Sequence, residues 1–119
     1  MKAVLIDVEN CTVKDIEIRN RLEDYYKVIK ARVITTIECS LKENHDLILD
    51  DECLLTSPKG FFSIDSEEIQ FAGNGLIVSY IPSTGNWRGS KITAEEVLKH
   101  IHFWKVFPMD GRSLIIQIC

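Results

Sequence analysis

Apolar and polar residues alternate along much of the chain, which predicts β-strands because successive side chains of a strand point to opposite faces. The clearest run opens the chain, where Val4, Ile6 and Val8 would share one face of a strand over residues 2–8. The polar residues that follow predict a turn, and hence a hairpin with the next alternating run. The further predicted strands cover residues 13–18, 32–38, 46–50, 68–72, 76–81 and 114–118.

Two other stretches follow the helical repeat, with apolar residues three or four positions apart. The first predicts a helix over about residues 20–30, opened by a capping box that begins at Asn20. The second predicts a helix that is capped by Thr93 and carries its apolar face as far as Trp104. Strands therefore outnumber helices along the chain.

The order of these elements predicts an α+β fold. Gly73-Asn74-Gly75 stands between two apolar runs, and Asn-Gly in that setting is a strong hairpin signal. We expect a mostly antiparallel sheet built from hairpins, with two helices packed on one of its faces. The length of 119 residues fits a single domain over residues 1–119, in which residues 104–119 could add an extra C-terminal strand.

The composition is that of an ordinary globular protein, with 45% hydrophobic and 27% charged residues. The formal net charge of −4 argues against nucleic acid as a partner, because binding to phosphates requires a basic surface. No run of residues approaches the ~18 apolar residues of a membrane span, and the first residues do not resemble a secretory signal. We therefore expect a cytoplasmic protein with no membrane partner.

Patterns for catalysis or metal binding are weak in this sequence. The cysteines at positions 11, 39, 53 and 119 include no C-x-x-C pair, so neither a zinc knuckle nor a redox pair is indicated. His100 and His102 are two positions apart, which would place them on different sides of a helix. Gly73-Asn74-Gly75 lacks the lysine of a phosphate-binding loop. We therefore expect a protein that is not an enzyme and needs no metal or other cofactor.

One acidic motif favours a different interpretation. Residues 5–10 resemble the opening strand of the PIN-like NYN nucleases, in which an Asp at the end of the first strand helps to hold a divalent metal. The resemblance implies a metal-binding role for Asp7, together with Asp50 or Asp51. The second acidic motif of that family, an Asp-x-Asp after a strand, is absent from this sequence. A metal-dependent nuclease is therefore the less favoured alternative.

The polar loop over residues 82–91 holds the most suggestive residues for ligand binding. Asn86, Trp87 and Arg88 follow one another between two glycines. Because an indole can stack on a nucleotide base while a guanidinium contacts phosphate, we expect Trp87 to stack and Arg88 and Arg112 to bind phosphate. Asn86 would hydrogen-bond the ligand. The alternative is that Trp87 folds back onto the sheet as a packing residue.

The order and spacing of six segments carry a family resemblance. These segments are Met1–Asp7, Val13–Ile18, Leu22–Ile29, Asp51–Leu54, Ala72–Val78 and Ile92–Val97. Together they resemble an uncharacterised family, a domain of unknown function found in small proteins of phages, prophages and plasmids. The resemblance extends over residues 1 to about 103, and residues 104–119 depart from the family pattern.

The resemblance implies an accessory protein of a mobile element, acting in the bacterial cytoplasm. By analogy with phage proteins of comparable build, it suggests an anti-defence sponge that sequesters a cyclic or phosphorylated nucleotide immune signal of the host. A sponge needs no catalytic residue but a preformed pocket, usually at a subunit boundary, so we expect a homo-oligomer. The alternative is a protein-interaction module that inhibits a host factor through its acidic surface and exposed strand edges.

Overall fold

The structure of the chain, a computed structural model, describes residues 1–53, 60–65, 69–109 and 111–118, with the backbone alone at residues 108, 109 and 112–115. The strands within these ranges are β1 (Lys2–Asp7), β2 (Thr12–Glu17), β3 (Ile34–Glu38), β4 (His45–Asp50), β5 (Phe61–Ile64), β6 (Phe71–Ala72), β7 (Gly75–Tyr80), β8 (Trp87–Arg88), β9 (Ile101–Met109) and β10 (Arg112–Gln117). The helices are α1 (Leu22–Ile29) and α2 (Ala94–Leu98).

The first sheet is built around β7. Its strand order is β2-β1-β7-β4-β3, and β8 pairs with the end of β7. The predicted hairpin at the start of the chain is confirmed, with Lys2 opposite Glu17 and Asp7 opposite Thr12. Because β7 has a strand on each side and packing on each face, its residues from Gly75 to Ser79 are buried.

The second sheet has the order β10-β9-β5-β6. The strand pairs described in both sheets are antiparallel. The mostly antiparallel α+β architecture is therefore confirmed, but the strands are divided between two sheets. The predicted C-terminal strand over residues 114–118 corresponds to β10, and the segment from residue 104 also supplies the second half of β9.

The larger core lies between the two sheets. Alternate residues of the first sheet, such as Val4, Ile6 and Ile77, face Phe62 and Phe103 of the second. Ala94 and Val97 of α2 join the same cluster. The second sheet and α2 together therefore cover one face of the first sheet.

The opposite face of the first sheet is covered by α1. Tyr25 and Ile29 of this helix pack against Ile48, Leu76 and Val78, which alternate with the residues of the larger core. The expectation that both helices pack on one face is therefore wrong. The helical pattern identifies an apolar stripe on each helix but not the face of the sheet that the stripe will meet.

The start of α1 also differs from the prediction. Arg21, not Asn20, occupies the N-cap position. Asn20 instead accepts a hydrogen bond from the hydroxyl of Tyr25 and donates one to the backbone carbonyl of Trp87. Its side chain therefore links α1 to β8.

The segment Gly73-Asn74-Gly75 does not form the predicted hairpin. It carries the chain from β6 in the second sheet to β7 in the first. Asn74 is buried, and its Oδ1 accepts a hydrogen bond of 3.0 Å from the backbone N–H of Val8. Gly73 has φ +79°, and a Cβ at Gly75 would lie 2.7 Å from the ring of Phe62. Both glycines are therefore required by a crossing between packed sheets.

The second helix is shorter than predicted. Thr93 caps it as expected, with its side-chain oxygen accepting from the N–H of Glu96 at 3.3 Å. The helix ends at Leu98, and the predicted continuation to Trp104 is instead β9, because residues 101–104 pair with β5. In the part of the chain that is described, no helix is long and apolar enough to cross a membrane.

Candidate functional site

A cleft of about 520 Å³ opens beside the end of the first sheet where β7 meets β8. It lies between the β3–β4 loop, the turn that follows β7, and the segment that follows β8. The lining residues are Leu41, Lys42, Glu43, Asn44, His45, Ser79, Tyr80, Ile81, Pro82, Arg88 and Lys91. The β3–β4 loop is distant in sequence from the other two segments, so the fold brings it to them.

His45 ties two of these segments to each other. Its side chain is 0% exposed. Its Nε2 accepts a hydrogen bond of 3.0 Å from the backbone N–H of Lys91, so the proton is on Nδ1, which donates to the carbonyl oxygen of Glu43 at 2.8 Å. One neutral imidazole thus fixes the β3–β4 loop relative to the segment after β8.

Three basic side chains border the cleft. Lys42 comes from the β3–β4 loop, Arg88 from β8, and Lys91 from the segment after β8. All three are exposed, and among the residues that the structure describes none of them forms an ion pair. Glu43 brings one carboxylate to the same cleft. Among the lining residues the three cations outnumber this carboxylate, which favours the approach of an anion.

The cleft also has apolar surface. Leu41, Ile81 and Pro82 line it. Tyr80 lines it too, and its hydroxyl donates a hydrogen bond to Glu38, which is the main reason that the pKa of Tyr80 is raised. Basic groups beside apolar surface suit a ligand that combines phosphate with a flat ring.

The side chain of Trp87 packs against other residues of the protein. Its ring makes a T-shaped contact with Tyr25, with centroids 4.8 Å apart and planes at 82°. Its Nε1–H donates a hydrogen bond of 2.9 Å to Oδ2 of Asp46. Trp87 thus belongs to the cluster under α1, and these contacts correspond to the alternative in which it folds back onto the sheet.

The other predicted ligand-binding residues have different positions in the fold. Arg88 lines the cleft. Asn86 is exposed, and its backbone carbonyl accepts a hydrogen bond from Ile81 in the turn after β7. Arg112 begins β10 in the second sheet, and its side chain lies outside the described residues.

Sequence reasoning missed Lys42, His45 and Lys91. Lys42 and His45 belong to a polar stretch between the predicted strands over residues 32–38 and 46–50, and Lys91 ends the polar loop over residues 82–91. The signal that could have found them is His45 itself, because a histidine next to a strand is often buried with both ring nitrogens bonded. Its partner on the Lys91 side is 46 residues away in the chain, which a local pattern cannot reveal.

Asp7 has a structural role in the β1–β2 turn. Its Oδ1 accepts hydrogen bonds from the backbone N–H groups of Glu9 and Asn10, and its Oδ2 accepts one from the Asn10 side chain. Partial burial acts to raise its pKa, but these hydrogen bonds and the charge of Lys30 outweigh burial, and the pKa is lowered. The carboxylate is therefore held as the anion by its own turn.

The acidic residues of the nuclease alternative lie at one edge of the first sheet. β1 and β4 both pair with β7, and Ile6 and Leu49 both lie opposite Gly75, so Asp7 and Asp50 end their strands on the same side. The intervening strand separates them by roughly 10 Å, and Asp50 accepts from Glu52 in its own turn. The described residues contain no group of three or more His, Cys, Asp or Glu that could hold a metal ion.

Comparison with known proteins places the chain in a family. No curated protein and no solved structure gives a significant match to it. One family profile, described as a domain of unknown function (DUF3846), matches residues 1–102, which is most of the chain and agrees with the extent of the resemblance seen in the sequence. The chain therefore belongs to the DUF3846 family.

Proposed function

We propose that this protein is a non-enzymatic binding protein that holds a small phosphorylated ligand, of the nucleotide class, in the cleft beside β8. The observation that carries the proposal is the presence of Lys42, Arg88 and Lys91 around one concave surface without an ion-pair partner among the described residues. Three cations around one concave surface, without an ion pair that neutralises them in the described part of the chain, favour the binding of an anion from outside.

The chemistry of the lining suits both parts of a nucleotide. The planar guanidinium of Arg88 can bind two phosphate oxygens at once, and the lysines add point charges. Leu41, Ile81 and Pro82 offer apolar surface to a base. Glu43 can accept a hydrogen bond from a sugar hydroxyl or an exocyclic amine. In this proposal Arg88 keeps the role expected from the sequence, whereas the base lies in the cleft and does not stack on Trp87.

Sequestration is the biological role that we attach to this binding. The resemblance to small phage, prophage and plasmid proteins suggests an accessory protein that lowers the free concentration of a nucleotide immune signal. Such a role needs affinity without turnover. It is supported by a preformed cleft, because His45 fixes its two loops before any ligand arrives.

The test is a thermal-shift screen of the purified protein against mononucleotides and cyclic nucleotides, followed by titration calorimetry. A ligand that binds only the folded state raises the melting temperature by mass action. We expect Arg88→Ala to weaken binding roughly tenfold or more, because a charge-assisted hydrogen bond is lost. Arg32→Ala is the matched control, since Arg32 is an exposed arginine just before β3.

The outcomes separate the possibilities. A shift for one nucleotide class that Arg88→Ala reduces and Arg32→Ala retains supports the proposal, provided that chromatography recovers the nucleotide unchanged. Conversion of the nucleotide would show an enzyme. No shift with any nucleotide, or a shift that Arg88→Ala leaves intact, would overturn the proposed site.

A second candidate function is the protein-interaction module, and the edge of the first sheet favours it. β3 is the last strand on its side of the sheet in the described chain, and Val33 and Ile37 on or beside it are exposed. A partner strand can add to such an edge. Binding of a host protein that Ile37→Lys abolishes and Arg88→Ala retains would favour this candidate over the cleft.

A further inference from the structure

The C-terminal hairpin formed by β9 and β10 extends beyond the body of the fold. β5 pairs with β9 only over Ile101–Trp104, whereas β10 pairs with β9 over Trp104–Met109. The outer part of β9 therefore has β10 as its sheet neighbour and, within the described chain, no strand on its other side. All of the hairpin after residue 102 also lies outside the family match, which ends there.

One face of this hairpin carries exposed apolar side chains on both sides of a lysine. Ile116 lies opposite Lys105 in the register, and Lys105 and Phe107 are on the same side of β9 as the buried Phe103. Ile118 joins them, because its N–H donates to the carbonyl of Phe103. Phe107 is 45% exposed, and Ile116 and Ile118 are each 41% exposed. The ammonium group of Lys105 is held by two backbone carbonyls of the β1–β2 turn, so the exposed apolar side chains lie around and beyond the point where the first sheet contacts this face.

The longer open edge of the hairpin in the described chain belongs to β10, because β9 is paired with β5 over its first residues whereas β10 is open along its whole length. This strand is the last in its sheet in the described chain, so one row of backbone hydrogen-bonding groups faces outward. Exposed edges are normally protected by charged residues or proline; β10 has one charged residue, Arg112 at its start, and residues 113–118 contain neither a charge nor a proline. Such an edge can continue the sheet with another strand.

We propose that a second copy of this chain docks on this hairpin, with β10 of each copy pairing antiparallel across a two-fold axis. Charge permits an identical partner: the charged residue of β10 is Arg112 at its start, and antiparallel self-pairing places the two copies of Arg112 at opposite ends of the pair, so no like charges meet although the chain carries −4 overall. The uncharged remainder of the strand offers no complementary charge to a strongly acidic or basic partner strand. The pairing also continues the antiparallel pattern of the sheet and covers Ile116 and Ile118 of both copies.

The contact between two copies buries enough surface for a stable dimer only if the exposed apolar side chains of the hairpin are included. A stable interface buries about 800 Å² on each partner, more than pairing of two six-residue edges alone provides. Phe107, Ile116 and Ile118 supply the additional apolar area next to the edge. The proposal is independent of the ligand-binding cleft, which is lined by residues of the first sheet and its loops.

The test is sedimentation velocity on the full chain from about 1 to about 100 μM. We expect a dimer, with a melting temperature that rises with protein concentration. Ile116→Lys should raise the dissociation constant at least roughly tenfold, because it places an unpaired charge of each copy in the apolar contact. Ile69→Lys is the matched control, since Ile69 is 64% exposed and lies outside the hairpin.

Each outcome bears on the proposal. A dimer that Ile116→Lys disrupts and Ile69→Lys retains, with unchanged circular dichroism of both variants, supports it. A wild-type monomer over the whole range overturns it, and so does a dimer that Ile116→Lys leaves intact. If Ile116→Lys fails to fold, Ile118→Lys at the open end of the strand gives the same test. A monomer that binds a different protein through the hairpin also overturns it.

Discussion

The two faces of the first sheet are closed in different ways. The face toward the second sheet is filled by aliphatic and phenylalanine side chains such as Ile6, Phe62 and Phe103. The face under α1 is closed by one short helix, and the aromatic residues there also carry hydrogen bonds: Tyr25 donates to Asn20 and Trp87 donates to Asp46. The second sheet and α2 together supply a large apolar area that closes their face mainly by packing, whereas a single eight-residue helix supplies less.

This difference leads to different expectations for mutations on the two faces. On the two-sheet face, the cost should follow the volume removed, because the core is close-packed. On the helix face, the cost should follow the hydrogen bond removed, because each aromatic ring also fixes a polar partner.

The largest expected effect is on the two-sheet face. Phe62 is 0% exposed and its ring lies 5.2 Å from that of Phe71. Phe62→Ala should lower the free energy of unfolding by about 3–5 kcal/mol, measured by urea denaturation, because it leaves a cavity in the centre of the core. Ile69→Ala, at an exposed position, should change it by less than about 0.5 kcal/mol. A loss below about 1 kcal/mol for Phe62→Ala would mean that the two sheets are not packed as described.

The next effect appears at alkaline pH on the helix face. Burial, with a smaller contribution from Asp24, raises the pKa of Tyr25 from 10.0 to about 12. Between these values the unfolded state has lost the phenol proton while the folded state keeps it. The contribution of Tyr25 to the free energy of unfolding is therefore fully present below pH 10. It is lost as the pH rises toward 12, and the loss is on the order of 3 kcal/mol.

Urea denaturation from pH 9 to pH 12 tests this expectation, with Tyr25→Phe as the reference. At neutral pH the variant should lose only about 1 kcal/mol, the value of the hydrogen bond to Asn20. If wild type and variant lost stability in parallel as the pH rises, Tyr25 would not be buried as a neutral phenol.

The two tryptophans give the comparison with the smallest expected difference in stability. Trp87 donates to the carboxylate of Asp46 under α1, and Trp104 donates to the hydroxyl of Ser63 in the second sheet, each at 2.9 Å. Trp87→Phe should cost about 1–2 kcal/mol and Trp104→Phe about 1 kcal/mol, because a hydrogen bond to a charged group is the stronger. If thermal or urea unfolding gave equal losses in the free energy of unfolding for the two variants, the packing of the ring, rather than the hydrogen-bond acceptor, would determine the cost of each substitution.

Local patterns predicted the local elements well. The alternation around Val4 and Ile6 and the polar turn after Asp7 define the first hairpin, and Thr93 is the cap of α2. The length of α2, in contrast, could not be predicted from the local sequence pattern. Residues 101–104 have apolar side chains at helical spacing, but pairing with β5 decides that they form a strand.

Local sequence patterns did not predict the elements whose structure depends on residues distant in the sequence. Gly73-Asn74-Gly75 has the composition of a hairpin turn, yet contacts with Val8 and Phe62 turn it into a crossing between sheets. The candidate site also depends on contacts between residues that are distant in the sequence. Arg88 was identified by its residue type, while His45 was not, because its role depends on a hydrogen bond to Lys91.

The position of β7 has a consequence for how the chain folds. The hairpins β1–β2 and β3–β4 pair with each other only through β7, whose residues 75–80 come about seventy positions after β1. During synthesis, each hairpin therefore has an open edge until most of the chain has emerged from the ribosome. Closure of such long loops is entropically costly, and folds dominated by distant contacts form slowly. We expect refolding in the range of milliseconds to seconds, with the arrival of β7 as the step that completes the first sheet.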